Sequence, residues 1–257
     1  MFRIMDINDY HIILWVMALM GLGVFVTLYF VDAGYGKFRS NKWGYSINNR
    51  LGWFLMEAPA LVAVAVGCWG IEPNWLQVFF LSLYALHYVY RSFVFPFLLK
   101  GNSRMPLSII AMGALFNSVN GGLLCASILS FPNEGYTDPM QYVTGWNFCV
   151  GVLVFLLGMY THMQADHTIR NLRRPGDTRH YLPTGGMFDY VTSANYLGEL
   201  VEWIGFAILL DNPAAWMFVW WTAANLVPRA HAINHRYRKE FGNEAVGKRK
   251  RVIPYIY

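Results

Sequence analysis

The chain has 257 residues and a net charge of +5; 56% of its residues are hydrophobic, only 14% are charged, and mean hydropathy is +0.31. That is an integral-membrane composition, and this length excludes a large soluble domain beside several spans. The basic residues fall in short loop clusters without a recognition element, which argues against nucleic acid as a partner.

Seven apolar helices are predicted in chain order: Ile12–Val31, Leu51–Ile71, Trp75–Leu99, Pro106–Leu129, Val143–Ala165, Asn195–Leu210 and Pro213–Ala232. They imply an all-α, multi-pass bundle of seven transmembrane helices in one membrane domain, residues 1–257, with the lipid bilayer as its solvent. The first run is about 20 residues long, which suits a span rather than a signal-peptide core. Cys68, Cys125 and Cys149 lie in apolar runs without paired spacing, so buried, inert thiols are expected. Trp216, Trp220 and Trp221 near the start of helix seven read as packing and interfacial belt. No obligate protein partner is indicated.

The charges alternate from loop to loop. Lys37, Arg39, Lys42 and Arg50 follow helix one; Lys100 and Arg104 follow helix three; Arg170, Arg173, Arg174 and Arg179 follow helix five; Arg236, Arg238, Lys239 and Lys248 to Arg251 follow helix seven. The opposite side shows Arg3 with Asp6, Asp9, Glu72, Glu134, Asp138 and Asp211. By the positive-inside rule the N-terminus is outside and the C-terminus cytosolic.

That orientation places the polar residues in depth. Glu57 lies one to two turns into helix two, and Tyr88 near the middle of helix three, with His87 before it and Arg91 one turn nearer the cytosol. Asn117 and Asn120 are mid-depth on helix four, and His162 and Asp166 close helix five. Arg229 and Asn234 close helix seven. Asn195, Glu199 and Glu202 open helix six, and steps of four and three residues put them on one face. An ionised side chain at mid-membrane costs roughly 2.5–3.5 kcal/mol, so a stripe of such groups argues for a site rather than one satisfied polar contact. The expectation is one polar pocket open to the cytosol and closed outward. A channel or transporter would carry polar groups along its whole depth.

Arg170, Arg173 and Arg174 follow helix five, and arginine forks match phosphate oxygens. Alone they read as positive-inside charge; beside a polar pocket they suggest a large phosphorylated cofactor. Gly21-Leu22-Gly23 lacks the third glycine and the preceding strand of a dinucleotide fingerprint, and no P-loop or GxSxG elbow is present. His231 and His235 have metal-ligand spacing, but seven histidines in all are too few for a histidine-box enzyme, and no metal is expected.

The chain resembles the steroid 5α-reductase family. The matching stretches are Gly34-Tyr35-Gly36-Lys37, Trp53-Phe54-Leu55-Met56-Glu57-Ala58-Pro59, His87-Tyr88 with Arg91-Ser92-Phe93, Asn120-Gly121, and Leu172-Arg173-Arg174-Pro175-Gly176. Next come Gly185-Gly186-Met187-Phe188, Ala194-Asn195, Gly198-Glu199 with Glu202-Trp203-Ile204-Gly205, Arg229-Ala230-His231, Tyr237 and Ile253-Pro254-Tyr255-Ile256-Tyr257. The likeness runs from about Gly34 to the last residue, in matching order and spacing.

The resemblance implies a seven-helix membrane enzyme that uses NADPH to reduce the Δ4 double bond of a 3-oxo steroid. Helices one to four, residues 1–142, then form the substrate side, and residues 143–257 the cofactor side. Glu57 and Tyr88 fall on the pair that holds the 3-oxo group. Arg91, Asn120, Asp166, Arg170, Arg173, Asn195, Glu199, Trp203, Arg229 and Tyr237 fall on or near cofactor positions. The chain departs from the family at His162, where relatives often have Asn, at His180-Tyr181, and at Ala232-Ile233-Asn234; His162, His180 and Asn234 are counted with the cofactor set.

The chemistry needs a hydride at the β-carbon of an enone and polarisation of its carbonyl oxygen. Tyr88 suits a phenol donor, and a buried Glu57 a neutral acid. Taken alone, Glu57 reads as a helix-end carboxylate and Tyr88 as an amphipathic packing residue. A polyprenol-derived enal or a trans-2-enoyl thioester stays open as substrate. So do an isoprenylcysteine-type methyltransferase, which the last third resembles, and a non-catalytic lipid-binding protein.

Overall fold

The computed structural model describes residues 6–31, 43–100, 103–172, 174, 177 and 179–257. Their regular elements are helices, apart from an antiparallel pairing of β1 (Ser46–Asn48) with β2 (Arg104–Pro106). The helices are α1 (Ile7–Thr27), α2 (Asn49–Cys68), α3 (Trp75–Val89), α4 (Phe95–Leu98), α5 (Leu107–Leu129), α6 (Pro139–Tyr142), α7 (Trp146–Asn171), α8 (Ala194–Leu210) and α9 (Pro213–Val246). A π-helical turn, Tyr90–Val94, joins α3 to α4, so Trp75–Leu98 runs on as one 24-residue helix. Among the described residues, five helices are long and apolar enough to cross a bilayer: α1, α2, Trp75–Leu98, α5 and α7. Large apolar side chains such as Trp15, Leu19, Leu153 and Tyr160 point out of the fold, as a lipid solvent permits.

Local chemistry sets the ends. Asp6 caps α1 by accepting from Asp9 N at 2.8 Å, so that helix spans Ile7–Thr27 rather than the expected Ile12–Val31. Asn74 and Gln77 form a reciprocal capping box at α3. Asn212 caps α9, with Pro213 at its first position. Two helices outrun the apolar signal. α7 continues past Ala165 to Asn171 because His162 and Asp166 find partners inside the bundle. α9 continues past Ala232 to Val246, helped by an i,i+4 pair, Arg236 Nε to Glu240 at 2.7 Å, with a backbone break at Gly242 (φ 85°).

The closest helix pair is α7 against α8. Gly151 and Gly158 of α7 face Leu209 and Glu202, while Gly198 and Gly205 of α8 face His162 and Phe155. A side chain at any of the four would overlap the opposing backbone. Small residues at both surfaces let the helices close to backbone contact, the usual route to helix association in lipid.

α1 packs on α9 through two indoles: Trp220 Nε1 donates to Ala18 O at 3.1 Å and Trp221 Nε1 to Met17 O at 2.8 Å. Gly21 makes room for the Trp220 ring. Of the expected packing and belt roles, these two tryptophans take packing, while Trp216 is 46% exposed. The thiols are free; Cys125 is buried as expected, Cys68 is partly buried and Cys149 is exposed on α7. The end of α8 is sealed by tyrosines. Tyr136 donates to Leu210 O and Tyr142 to Leu209 O at 2.9 Å, satisfying carbonyls that a helix end leaves open.

Candidate active site

Five helices, α2, α3, α5, α7 and α8, bring their polar residues together in the half of the bundle that holds the β1–β2 pair and the start of α8. Glu57 sits about two turns into α2 and is 8% exposed. Asn117 of α5 reaches it: its Nδ2 donates to Glu57 Oε2 at 3.0 Å and to Met56 O at 2.8 Å. The carboxamide oxygen of Asn117 accepts the Tyr88 hydroxyl of α3 at 3.0 Å. Tyr88 and Glu57 thus meet on one side chain. Tyr84, one turn before Tyr88, stacks beside it with ring centroids 4.7 Å apart.

The π turn after α3 holds Arg91, a turn type frequent at functional sites. Its guanidinium packs against both the Trp53 and Phe95 rings, 4.3 and 4.7 Å from their centroids, and the two rings meet edge-on 5.2 Å apart. Its nitrogens come within 3.7 Å of Glu57 and 3.5 Å of Asp166. Arg91 therefore links the Glu57–Tyr88 side to α7.

The predicted stripe on α8 faces α7 and α3. Asn195 Nδ2 donates to Asp166 Oδ1 at 3.4 Å, and Glu199 lies 4.0 Å from His162. Glu202, fully buried, lies between two imidazoles, His87 Nδ1 at 2.8 Å and His162 Nδ1 at 3.3 Å. The other nitrogen of His162 faces Asp166 at 3.3 Å. One network thus runs from Tyr88 through Asn117, Glu57, Arg91, Asp166 and His162 to Glu202 and His87. The ligating atoms of His87, His162 and Glu202 also lie within 4.8 Å of one another, a spacing that a cation could use.

The other predicted residues lie around it. Asn120 is buried on α5, and its Nδ2 has no hydrogen-bond partner among the described residues; nor has Ser193 Oγ before α8. Trp203 packs in the core, 4.6 Å from the His87 ring and 4.4 Å from Phe218. Arg229 places its guanidinium 5.6 Å from the Tyr196 ring on α8. Three further predicted residues make contacts of their own. Asn234 donates to Thr192 at 3.2 Å and accepts from Arg238 at 3.0 Å. Tyr237 is buried against Phe241. His180 lies 3.2 Å from Glu240. Burial pushes the Glu240 carboxyl up, but Arg236 and His180 outweigh it and hold it below its usual range. Arg170 bonds His167 at 3.1 Å and turns toward Tyr90. Arg173 lies outside the described residues.

Asn117 and His87 are central here, yet neither stood out as a functional residue in the sequence. The available signals were a mid-span Asn117 spaced three residues from Asn120, and a histidine beside Tyr88.

Among the described residues, two of the surface hollows are notable, and neither is lined by Glu57 or Tyr88. One, of about 400 Å³, lies between α3 and α7 and reaches Tyr90 and Arg170. The other, of about 600 Å³, lies between the Thr184–Tyr190 loop and the tail after α9.

A family model described as 3-oxo-5-alpha-steroid 4-dehydrogenase matches residues 103–257. The chain is similar to steroid 5-alpha-reductase DET2 of Gossypium hirsutum, 32% identical over 260 residues, covering 98% of this chain and 99% of that one. It is also similar to 3-oxo-5-alpha-steroid 4-dehydrogenase 1 of Bos taurus, 31% identical with 92% and 93% covered. Against the type 2 protein of Rattus norvegicus it is 34% identical, with 81% of each covered.

Proposed function

We infer the reaction of this chain from its kinship: it belongs to the steroid 5α-reductase family, the 3-oxo-5-alpha-steroid 4-dehydrogenases. It is a multi-pass membrane oxidoreductase of that family, and its reaction is reduction of the Δ4 double bond of a 3-oxo steroid to the 5α product. Our finer reading completes the bundle with α8 and α9 as sixth and seventh spans, N-terminus outside and C-terminus cytosolic. The substrate then lies toward the first four spans and the cofactor toward the last three.

The observation that carries the reading is the meeting of Tyr88 and Glu57 on Asn117, continuous through Arg91 with the α7–α8 cluster. Tyr88 is the donor that turns from Asn117 to the 3-oxo oxygen and stabilises the charge developing there. Glu57, carrying a proton once the carbonyl is in place, is the second group that holds it. Asn117 sets the angle between the two. Trp53 and Phe95 pack against Arg91, which keeps a fixed positive charge at the junction of the two sides.

The cofactor side suits NADPH. Asn120 Nδ2 and Ser193 Oγ are buried groups whose hydrogen-bonding capacity is unused among the described residues, as a polar guest requires. NADPH, when bound, supplies the hydride. Arg91, Asp166, Asn195, Glu199 and Arg229 hold it, with Arg170 or Arg173 at its 2′-phosphate. His162 ties Asp166 to Glu202 and keeps both in place.

The test is NADPH oxidation by the purified full chain against a Δ4-3-oxo steroid, a polyprenol-derived enal and a trans-2-enoyl thioester, repeated with NADH. Turnover of the steroid with NADPH is expected. Preference for either other substrate, or for NADH, overturns the corresponding assignment.

A further inference from the structure

We propose that the hollow between the Thr184–Tyr190 loop and the tail after α9 binds the headgroup phosphate of an anionic membrane lipid. The hollow encloses about 600 Å³, and Lys248, Arg249 and Lys250 line it against a single carboxylate, Asp189. Asp189 already accepts from Gly185 N at 2.8 Å. Arg249 is engaged by the backbone, donating to Val246 O at 2.8 Å and Pro183 O at 2.9 Å. Among the described residues lining the hollow, that leaves the two exposed lysines as the cations offered to a guest, and a phosphate is the group they complement.

The tail is built into the fold at a defined depth. Lys250 N donates to Tyr190 O and Thr192 N to Lys250 O, both at 2.9 Å, which pins the tail to the segment leading into α8. The Tyr257 hydroxyl meets that of Tyr29 at 2.9 Å, just past the end of α1. The tail beside the hollow therefore reaches the end of α1, a helix long and apolar enough to cross a bilayer.

Its rim identifies the source of the phosphate. Tyr255, which lines the hollow, is 78% exposed, and its neighbour Ile256 is 76% exposed. Phe30, beside Tyr29, is 84% exposed. A soluble phosphate offers these groups nothing, whereas a lipid presents phosphate and acyl chain together. Aromatic and aliphatic side chains beside lysines are the pattern that settles at a bilayer interface. The proposal is independent of the reductase reaction; it uses the proposed orientation only to name the cytosolic leaflet.

Native mass spectrometry of the detergent-purified full chain with phosphatidylserine or phosphatidylcholine of identical acyl chains tests it. Phosphatidylserine should be retained over phosphatidylcholine. Lys248→Glu/Lys250→Glu should lower its retention roughly tenfold or more, since each basic residue near an anionic surface contributes measurably. Lys239→Glu, an exposed reversal on α9 away from the hollow, should leave retention unchanged, and Tyr255→Ser/Ile256→Ser should weaken it. Equal retention of the two lipids by the wild-type chain, or no effect of the double lysine reversal, overturns the proposal. Displacement of bound phosphatidylserine by an equal concentration of inorganic phosphate also overturns it, since the hollow would then be a free-anion site.

Discussion

Tyr88 gives its phenolic hydrogen to Asn117, at 3.0 Å, rather than to Glu57. The two expected substrate-holding residues are therefore oriented by a third, which also donates to Glu57 at 3.0 Å. Asn117→Leu should lower kcat by about 10²-fold, the cost of misplacing a reacting group by an ångström. Tyr88→Phe removes the donor itself and should cost about 10²–10³-fold in kcat. Steady-state kinetics on both, with Glu57→Gln beside them, decide the point. Near-normal turnover in Tyr88→Phe and Glu57→Gln removes them from the chemistry.

His162 faces Asp166 with one nitrogen and Glu202 with the other, both at 3.3 Å. His162→Phe leaves two buried carboxylates short of a partner and should destabilise the fold by roughly 3 kcal/mol or more. His162→Asn, the residue that family resemblance suggests here, still offers an N–H to one of them. It should melt closer to wild type and keep more NADPH affinity. If the two variants melt and bind alike, His162 does not position these carboxylates.

Gly158 and Gly23 make a matched pair. A methyl group on Gly158 would meet the Glu202 backbone, whereas one on Gly23 meets nothing within 4 Å. Gly158→Ala should cost about 3 kcal/mol or more by overpacking. Gly23→Ala should be neutral or stabilise by about 0.5–1 kcal/mol, because alanine is the better helix former. Thermal melts in one detergent compare them directly; a harmless Gly158→Ala contradicts the close approach of α7 and α8.

Arg170 and Arg173 are the two cations offered to the 2′-phosphate. Arg173→Ala should collapse the preference for NADPH over NADH if it carries that contact, and Arg170→Ala should do so if the contact falls there. Measuring kcat/KM for both cofactors on each variant separates them. An unchanged ratio in both argues against either arginine.

In the loop before α8, Asp177 accepts from Arg179 at 3.1 Å and from Tyr181 at 2.6 Å. Arg179 first, then Tyr181, holds its carboxyl well below the usual carboxylate range. A depressed carboxylate contributes stability above its unfolded pKa, near 3.9, and loses it as pH falls toward the folded value. Protection of residues 177–181 from hydrogen exchange should therefore be flat from about pH 5 to 8, after correction for intrinsic rates, and should fall only below about pH 4. A drop between pH 5 and 8 would mean that another group controls the loop.

Much of the site was legible because helix periodicity is local. Steps of four and three put Asn195, Glu199 and Glu202 on one face whatever α8 packs against, and the cost of placing them in hydrocarbon marks them as purposeful. The same reasoning located the apolar cores of α1, α2, α5 and α7 by hydropathy alone. It misjudged ends where a polar residue finds its partner inside the bundle. α7 carries His162 and Asp166 onward to Asn171, and α9 passes from an apolar face to a paired polar one without breaking until Gly242.

What only the tertiary structure decided is which polar group meets which. Asn117 joins Glu57 from 60 positions away in the chain, and His87 meets Glu202 across 115. Nothing in residue spacing selects such partners; they follow from how closely the helices pack, and on α7 and α8 that closeness rests on glycines whose role is invisible until two backbones touch. Composition and period thus determined a membrane protein with one ionisable stripe, and the resemblance to a family made it an enzyme. Packing in three dimensions determined that Tyr88 and Glu57 share a carboxamide, because hydrogen bonds are short and only the assembled bundle brings those atoms within reach.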